Sequence, residues 1–269
     1  MIELARRAAR AAGRLQLERR ALQVDHKGAL DLVTQVDLAS EALIRDMLSA
    51  EAPGIPIQGE EGGGAEGAAT RWIVDPLDGT TNFVHGLPHW CVSIALLTDG
   101  ALALGVVYDP NRDELFEARR GGGAALNGAT IRTSSTSSLS GSLVASGFPY
   151  DRRQRIDFYL SFVREMLLRT QGFRRAGAAA LDLAWVAAGR LDGFWEFNLN
   201  PWDIAAGALL VREAGGRVTD MDGGALDLEG QRILATNGFL HDEMSAALTG
   251  LLRPPADPAN SQEQTWASR

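Results

Sequence analysis

One stretch, Trp-Ile-Val-Asp-Pro-Leu-Asp-Gly-Thr-Thr-Asn-Phe over residues 72–83, constrains this chain more than any other. An apolar run enters two aspartates three positions apart. The chain then turns at once through Gly79, Thr80, Thr81 and Asn82. Asp75 and Asp78 bracket Pro76, which is excluded from a helix interior. The apolar run therefore reads as a strand, with Asp75 at its end and Asp78 on the turn that follows. Two carboxylates so close repel each other unless something positive lies between them. The segment asks for a cation. The plainer reading is a solvated turn with an Asp cap, since Asp-Gly and Asp-Pro pairs are common in turns.

The rest of the chain limits which cation fits. Cys91 is the lone cysteine, so there is no internal disulfide and no thiolate zinc cage. The four histidines, His26, His85, His89 and His241, form no His-Glu-x-x-His pattern. An ion here must be held mainly by oxygen, which selects Mg²⁺, Mn²⁺ or Ca²⁺ over Zn²⁺. Four further acids are placed to join. Glu60 and Glu61 follow Gly59 at the end of a short apolar strand. Asp203 sits where a helix begins in Pro-Trp-Asp-Ile-Ala-Ala-Gly, and Asp37 precedes another helix. Taken singly, each has a bland explanation: a solvated charge pair for the glutamates, a cap or first-turn acid for the aspartates.

Bulk properties exclude several classes. A net charge of −8 and a pI of about 5.1 argue against a general grip on nucleic acid or anionic membrane. No apolar run approaches a membrane span. The N-terminal segment is arginine-rich and amphipathic. It contains Glu3 and Glu18 and lacks an apolar stretch or cleavage site, so it reads as a mature surface helix and the default location is the cytoplasm.

Helical spacing covers residues 1–22, with Leu4, Ala8, Ala11, Leu15 and Leu22 near one face. Residues 24–36 read as a loop. A second helix over 37–50 has Leu38, Ala42, Leu43, Met47 and Leu48 as its expected buried stripe. From 55 to 133 the texture is that of strands in an antiparallel meander, with 62–70 a glycine-rich and mobile loop and 121–128 another turn-rich stretch. The serine-rich segment 134–142 marks a subdomain boundary. Beyond it, strands alternate with helices over 151–169, 178–189, 202–214 and 238–251. The expected division is an N-terminal subdomain, 1–138, a C-terminal α/β subdomain, 139–252, and a disordered polar tail, 253–269.

Together the motifs resemble a family. The segment from Trp72 to Leu96 is similar to the first signature of the inositol monophosphatase family, with its Asp-Pro-x-Asp-Gly-Thr-x-Asn core. Pro201 to Gly207, followed by Glu213 to Gly216, resembles the second signature. Gly59-Glu60-Glu61 lies about 15 residues upstream of the first. Lys27 to Asp37 resembles the family's mobile loop and the aspartate after it. The resemblance runs from about residue 24 to 250.

The resemblance implies an α/β (α+β) fold: a layered αβαβα sandwich with an antiparallel sheet in the N-terminal half and a mixed sheet in the C-terminal half. It implies that Glu60, Asp75, the Leu77 carbonyl and Thr80 surround one Mg²⁺, and that Asp75, Asp78 and Asp203 surround a second. Glu60 helps hold a third ion where three are used, and Mn²⁺ can substitute. Asp37 stands beside Thr80. The implied catalytic residues are Glu60, Thr80, Asp37 and Asp78. The implied substrate contacts are Leu77, Asp78, Gly79, Thr80, Gly177, Ala178, Ala179, Glu196 and Asp203, with Glu196 binding sugar hydroxyls. Arg174 and Arg175 precede this pocket; a second phosphate and a subunit interface are both open to them, and neither is assigned. Ala178 stands where many relatives carry Ser or Thr, which removes a hydroxyl contact.

The implied reaction is Mg²⁺-dependent hydrolysis of a phosphomonoester without a phosphoenzyme, with inositol 1-phosphate the first substrate, lithium an inhibitor and a homodimer the expected assembly. The Thr-Asn-Phe after Asp-Gly-Thr favours monophosphatases over 3′(2′),5′-bisphosphate nucleotidases; fructose 1,6-bisphosphatase and histidinol phosphatase remain alternatives. So does a non-catalytic role as a partner of the transcription machinery. A Ca²⁺ module fails for want of an EF-hand loop, and an aspartyl-phosphate enzyme for want of an Asp-x-Asp opening.

Overall fold

The computed structural model describes residues 1–18, 24–26 and 32–252. The helices are α1 (Ile2–Glu18), α2 (Gln35–Glu51), α3 (Thr80–Val84), α4 (Ile156–Arg169), α5 (Ala179–Ala187), α6 (Pro201–Glu213) and α7 (His241–Leu252). The strands are β1 (Val24–His26), β2 (Leu32–Thr34), β3 (Ile57–Gly59), β4 (Arg71–Asp78), β5 (Cys91–Thr98), β6 (Ala101–Asp109) and β7 (Glu114–Arg119). They continue with β8 (Gly123–Leu126), β9 (Ala129–Ile131), β10 (Leu143–Ser146), β11 (Gly172–Arg174), β12 (Gly193–Phe197), β13 (Arg217–Thr219) and β14 (Arg232–Thr236).

β3 to β9 form a seven-stranded sheet in sequence order; the second sheet has the order β11-β10-β12-β14-β13. α1 and α2 cover the outer face of the first sheet, with Trp72, Val74, Val92 and Ile94 packed beneath them. α5 and α6 fill the layer between the sheets, where Ile73, Ala95 and Val107 from the first meet Phe194 and Ile233 from the second in one cluster. α4 and α7 cover the far face around Trp195, Phe197 and Leu234. This is the αβαβα sandwich, with the two half-sheets sharing a common core.

Several expectations change in detail. The first sheet is antiparallel except at its edge, where β3 runs parallel to β4. A parallel neighbour needs a crossover rather than a hairpin, and residues 60–70 provide it. Part of the presumed loop 24–36 is an antiparallel ribbon of β1 with β2. The turn-rich 121–128 holds the end of the β7–β8 turn, strand β8 and the β8–β9 turn, the last closed at Asn127 (φ 48°) and Gly128 (φ 81°). That left-handed pair is the geometry of a two-residue hairpin turn.

The buried stripes also shift. α2 buries Val36, Asp37, Ser40, Glu41, Ile44 and Leu48, while Leu38 is exposed. Of the five expected residues, Leu48 alone is buried. The rest were read from hydrophobicity, but this face turns polar groups inward to hold neighbouring loops. α1 buries Ile2, Leu4, Ala5, Ala8, Ala9, Ala12, Gly13 and Gln16. Its alanines let the helix lie close on the sheet; a Cβ on Gly13 would stand 2.5 Å from the Tyr108 ring. Leu22 and the tail 253–269 lie outside the described residues.

His241, at the start of α7, is fully buried. The Thr219 hydroxyl donates to the Asp220 carbonyl, so it accepts from His241 Nε2 at 3.0 Å; the Thr236 hydroxyl lies 3.1 Å from Nδ1. A neutral ring with its proton on Nε2 satisfies both threonines, and burial pulls its pKa down to about 4. Above pH 6.5 the ring is neutral folded or unfolded. Between 6.5 and 4 only the unfolded chain takes up the proton, so stability falls with acidification across that window. Replacing His241→Gln removes this contribution. Urea midpoints compared at pH 7 and pH 5 are expected to differ less in the variant; an equal acid loss would refute the assignment.

Candidate active site

β4 alternates its side chains between faces. Trp72 and Val74 point to the α1–α2 side, while Ile73 points to the α5–α6 side. Asp75, in the same alternation as Ile73, is directed toward the interior layer. The strand runs on through Pro76 to Asp78, with a register shift between Asp75 and Asp78 where β4 pairs β5. Asp78 is thus the last residue of the strand rather than part of the turn. Pro76 donates no hydrogen bond, and its carbonyl accepts from Gln16 Nε2 at 2.7 Å.

Gly79 then caps α3 at φ 100°, a conformation that favours glycine. A Cβ there would also stand 3.1 Å from the His89 carbonyl and 3.3 Å from Ala178 Cβ. The Thr80 hydroxyl lies 3.0 Å from Asp37 Oδ1 and 3.2 Å from the Leu77 carbonyl. Asp37 sits inside α2, not ahead of it. It caps the helix by accepting from the Thr34 backbone N–H at 2.9 Å, and so serves the helix start and Thr80 together.

A cavity of about 420 Å³ opens over these elements. Glu60, Asp75, Asp78, Gly79, Thr80, Gly177, Ala179, Glu196 and Asp203 line it, from five separate parts of the chain. Leu77, Asp37 and Ala178 do not reach its wall. Ala178 is buried between Gly177 and Ala179, which do reach it. Three groups on the wall have little sequence signal: Gly147 to Tyr150 after β10, Arg152, and Trp202 beside Asp203. Arg175, which the sequence left unassigned, also lines the cavity. The Gly-Phe-Arg-Arg-Ala-Gly stretch was its only signal.

The electrostatics are those of crowded acids. Asp75 is pushed well above the usual carboxylate range, first by burial and then by Glu60, Asp78 and Asp203. Asp203 is raised by burial, Asp78 and Glu60; its Oδ2 accepts from the Asn200 N–H at 2.6 Å. Asp78 is raised by burial to about 6, held from going higher by backbone N–H groups of α5, of which Ala180 donates at 2.7 Å. Burial raises all three, and repulsion from neighbouring carboxylates adds to it at Asp75 and Asp203.

Among the described residues, no three His, Cys, Asp or Glu side chains already close into a set that would hold an ion as they stand. The fit to a divalent cation therefore lies in the donors. Four carboxylates, Glu60 after β3, Asp75 and Asp78 on β4 and Asp203 on α6, line one cavity, all offering oxygen, and Asp75 and Asp203 are destabilised by their neighbours. An oxygen-seeking dication relieves that repulsion.

Glu196 also lines the cavity, with burial raising its pKa to about 8. Its carboxylate occupies the space beside Gly147, where a Cβ would lie 2.1 Å from Oε1. Gly147→Ala would push the flexible carboxylate aside at little cost to the fold. The expected result is a near-native melting temperature with KM for a polyol phosphate raised about tenfold, the loss of one good hydrogen bond. Unchanged KM would remove Glu196 from the substrate contacts.

A layered αβαβα sandwich with an acidic cavity where strand ends and helix starts meet defines a structural class. The chain belongs to the inositol monophosphatase family, whose model matches residues 1–253. It is 51% identical over 247 residues to a protein named Nus factor SuhB from Pseudomonas aeruginosa, covering 88% of this chain and 91% of that one. It is 47% identical over 252 residues to an inositol-1-monophosphatase from Synechocystis sp., covering 92% and 88%. The solved extragenic suppressor protein suhB from Bartonella henselae superposes with a TM-score of 0.88 at 43% identity, covering 92% and 97%. Among the described residues no helix is long and apolar enough to cross a membrane.

Proposed function

We propose that the protein is a Mg²⁺-dependent phosphomonoester hydrolase acting on a phosphorylated polyol, with inositol 1-phosphate as the leading substrate. The observation that carries this reading is the cavity itself. It gathers Glu60, Asp75, Asp78 and Asp203 together with a further carboxylate, Glu196, in one lining. In this reading Glu60, Asp75, Asp78, Asp203 and the Leu77 carbonyl hold the ions. Bound there, Mg²⁺ supplies an activated water near neutral pH and neutralises charge on the phosphoryl oxygens.

The chain's own groups do the rest. Thr80 holds the attacking water, its hydroxyl oriented by Asp37 and the Leu77 carbonyl. The backbone N–H groups of Gly79 and Thr80 bind phosphate oxygens. Glu196 fixes the polyol by its hydroxyls. Cys91 is no nucleophile, since it is buried and burial drives its thiol well above the usual range.

The test is phosphate release with and without Mg²⁺ from inositol 1-phosphate, fructose 1,6-bisphosphate, histidinol phosphate and 3′-phosphoadenosine 5′-phosphate. Mg²⁺-dependent turnover strongest on inositol 1-phosphate is expected, with loss on adding Li⁺. Preference for another ester keeps the chemistry and replaces the substrate. A second reading, a role with the transcription machinery, is favoured by the naming of the 51% identical relative as a Nus factor. Absence of turnover on all four esters would put that reading first.

A further inference from the structure

Glu41 is an acid on the buried stripe of α2, 3% exposed, and a buried charge needs partners. Its partners are backbone groups of the segment that follows Glu60. Oε2 accepts from the Glu61 N–H at 2.7 Å and Oε1 from the Gly62 N–H at 2.8 Å. One helical turn on, Arg45 donates from Nε to Glu41 Oε1 at 2.6 Å and from Nη2 to the Gly63 carbonyl at 2.7 Å. Two side chains of one helix thus hold the backbone of three consecutive residues. Gly59 and Gly63 complete the turn by exchanging N–H···O bonds at 3.2 and 3.0 Å.

The fit is tight. A Cβ on Gly59 or Gly62 would stand 2.5 or 2.7 Å from Glu41 Oε1. The other stem of the same loop is held separately: Arg71 donates to the Ala68 carbonyl, to Gln58 Oε1 at 2.7 Å and to Glu229 Oε1 at 2.9 Å. The loop expected to be mobile is therefore pinned at both stems, with exposed Glu66 near its tip.

We propose that Glu41 is the positioning residue for Glu60. It fixes the backbone from which Glu60 reaches the cavity, and Arg45 fixes Glu41. Neither touches the substrate. The inference rests on the reading that Glu60 is an ion ligand, and its first readouts need no turnover.

The test compares Mg²⁺ binding by calorimetry and amide exchange at Glu61 and Gly62 in the full-length protein and three variants. In Glu41→Gln an NH₂ replaces one acceptor, so one of the two N–H groups loses its partner. Mg²⁺ affinity is expected to fall about tenfold, within the range seen when groups supporting a metal ligand are altered. Both amides should exchange faster, and ester KM at saturating Mg²⁺ should stay within twofold. Gly62→Ala pushes on the same contact from the loop side and should weaken Mg²⁺ in the same direction; it carries the test if Glu41→Gln does not fold. Glu66→Ala should match the unmodified protein.

Native Mg²⁺ affinity in both Glu41→Gln and Gly62→Ala would overturn the proposal, as would failure of the unmodified protein to bind Mg²⁺. If the protein binds Mg²⁺ but hydrolyses no ester, the proposed activity fails while the Glu41 comparison still decides this one.

Discussion

Asp203→Asn is expected to lower kcat by about 10²–10³, the scale of removing one preorganised electrostatic group from a reacting centre, while leaving the fold intact. The substitution keeps the local structure because an asparagine oxygen can still accept from the Asn200 N–H at the start of α6. What it removes is one charge from a crowded set. Asp203 is raised by burial, Asp78 and Glu60, so in the metal-free protein its neutral replacement relieves repulsion. The melting temperature of metal-free Asp203→Asn should therefore equal or exceed that of the unmodified protein, a stability gain at the expense of function. The gain from adding Mg²⁺ should shrink. Native turnover would refute the ion-ligand assignment. A lower melting temperature would mean that Asp203 is chiefly structural.

The second large effect is at Gly105, in the middle of β6 and outside the cavity lining. A Cβ there would lie 2.9 Å from both Cα and the carbonyl oxygen of Ala206 on α6. Those are backbone atoms, so the helix itself has to move. Overpacking of this kind costs about 1–3 kcal/mol, which for a domain of this size lowers the melting temperature by about 2–12 °C. Ala206 is one helical turn from Asp203, so the displacement reaches the cavity. Gly105→Ala should lose kcat about tenfold or more, since misplacement of about 1 Å can cost 10². Thermal melts and single-turnover rates check both halves. A destabilised variant with native rate would show that α6 moves without carrying Asp203.

The same coupling explains what was legible in advance. Asp75 and Asp78 announced themselves because their neighbours left them no ordinary place: a strand before, a proline between and a glycine after. The local order of strands and helices was readable for the same reason, from period and turn chemistry. The α2 stripe was not. Asp37 and Glu41 sit at core positions because loops from elsewhere supply their partners, and hydrophobicity alone assigns such a face to Leu38 and Ala42. The parallel β3–β4 edge was missed because a loop of residues 60–70 looks alike whether it returns the chain beside itself or across it.

Sequence by itself determined the family, since its motifs rest on residue type and spacing along the chain, and through that resemblance the layered fold. Only the tertiary structure decided that Ala178 does not reach the cavity wall, that Arg152, Arg175 and the Gly147–Tyr150 turn line it, and that Glu41 grips the loop after Glu60. These depend on which distant segments meet. That is settled by packing α5 and α6 between two sheets, where side chains more than a hundred positions apart share one wall, and no local pattern encodes such a distance.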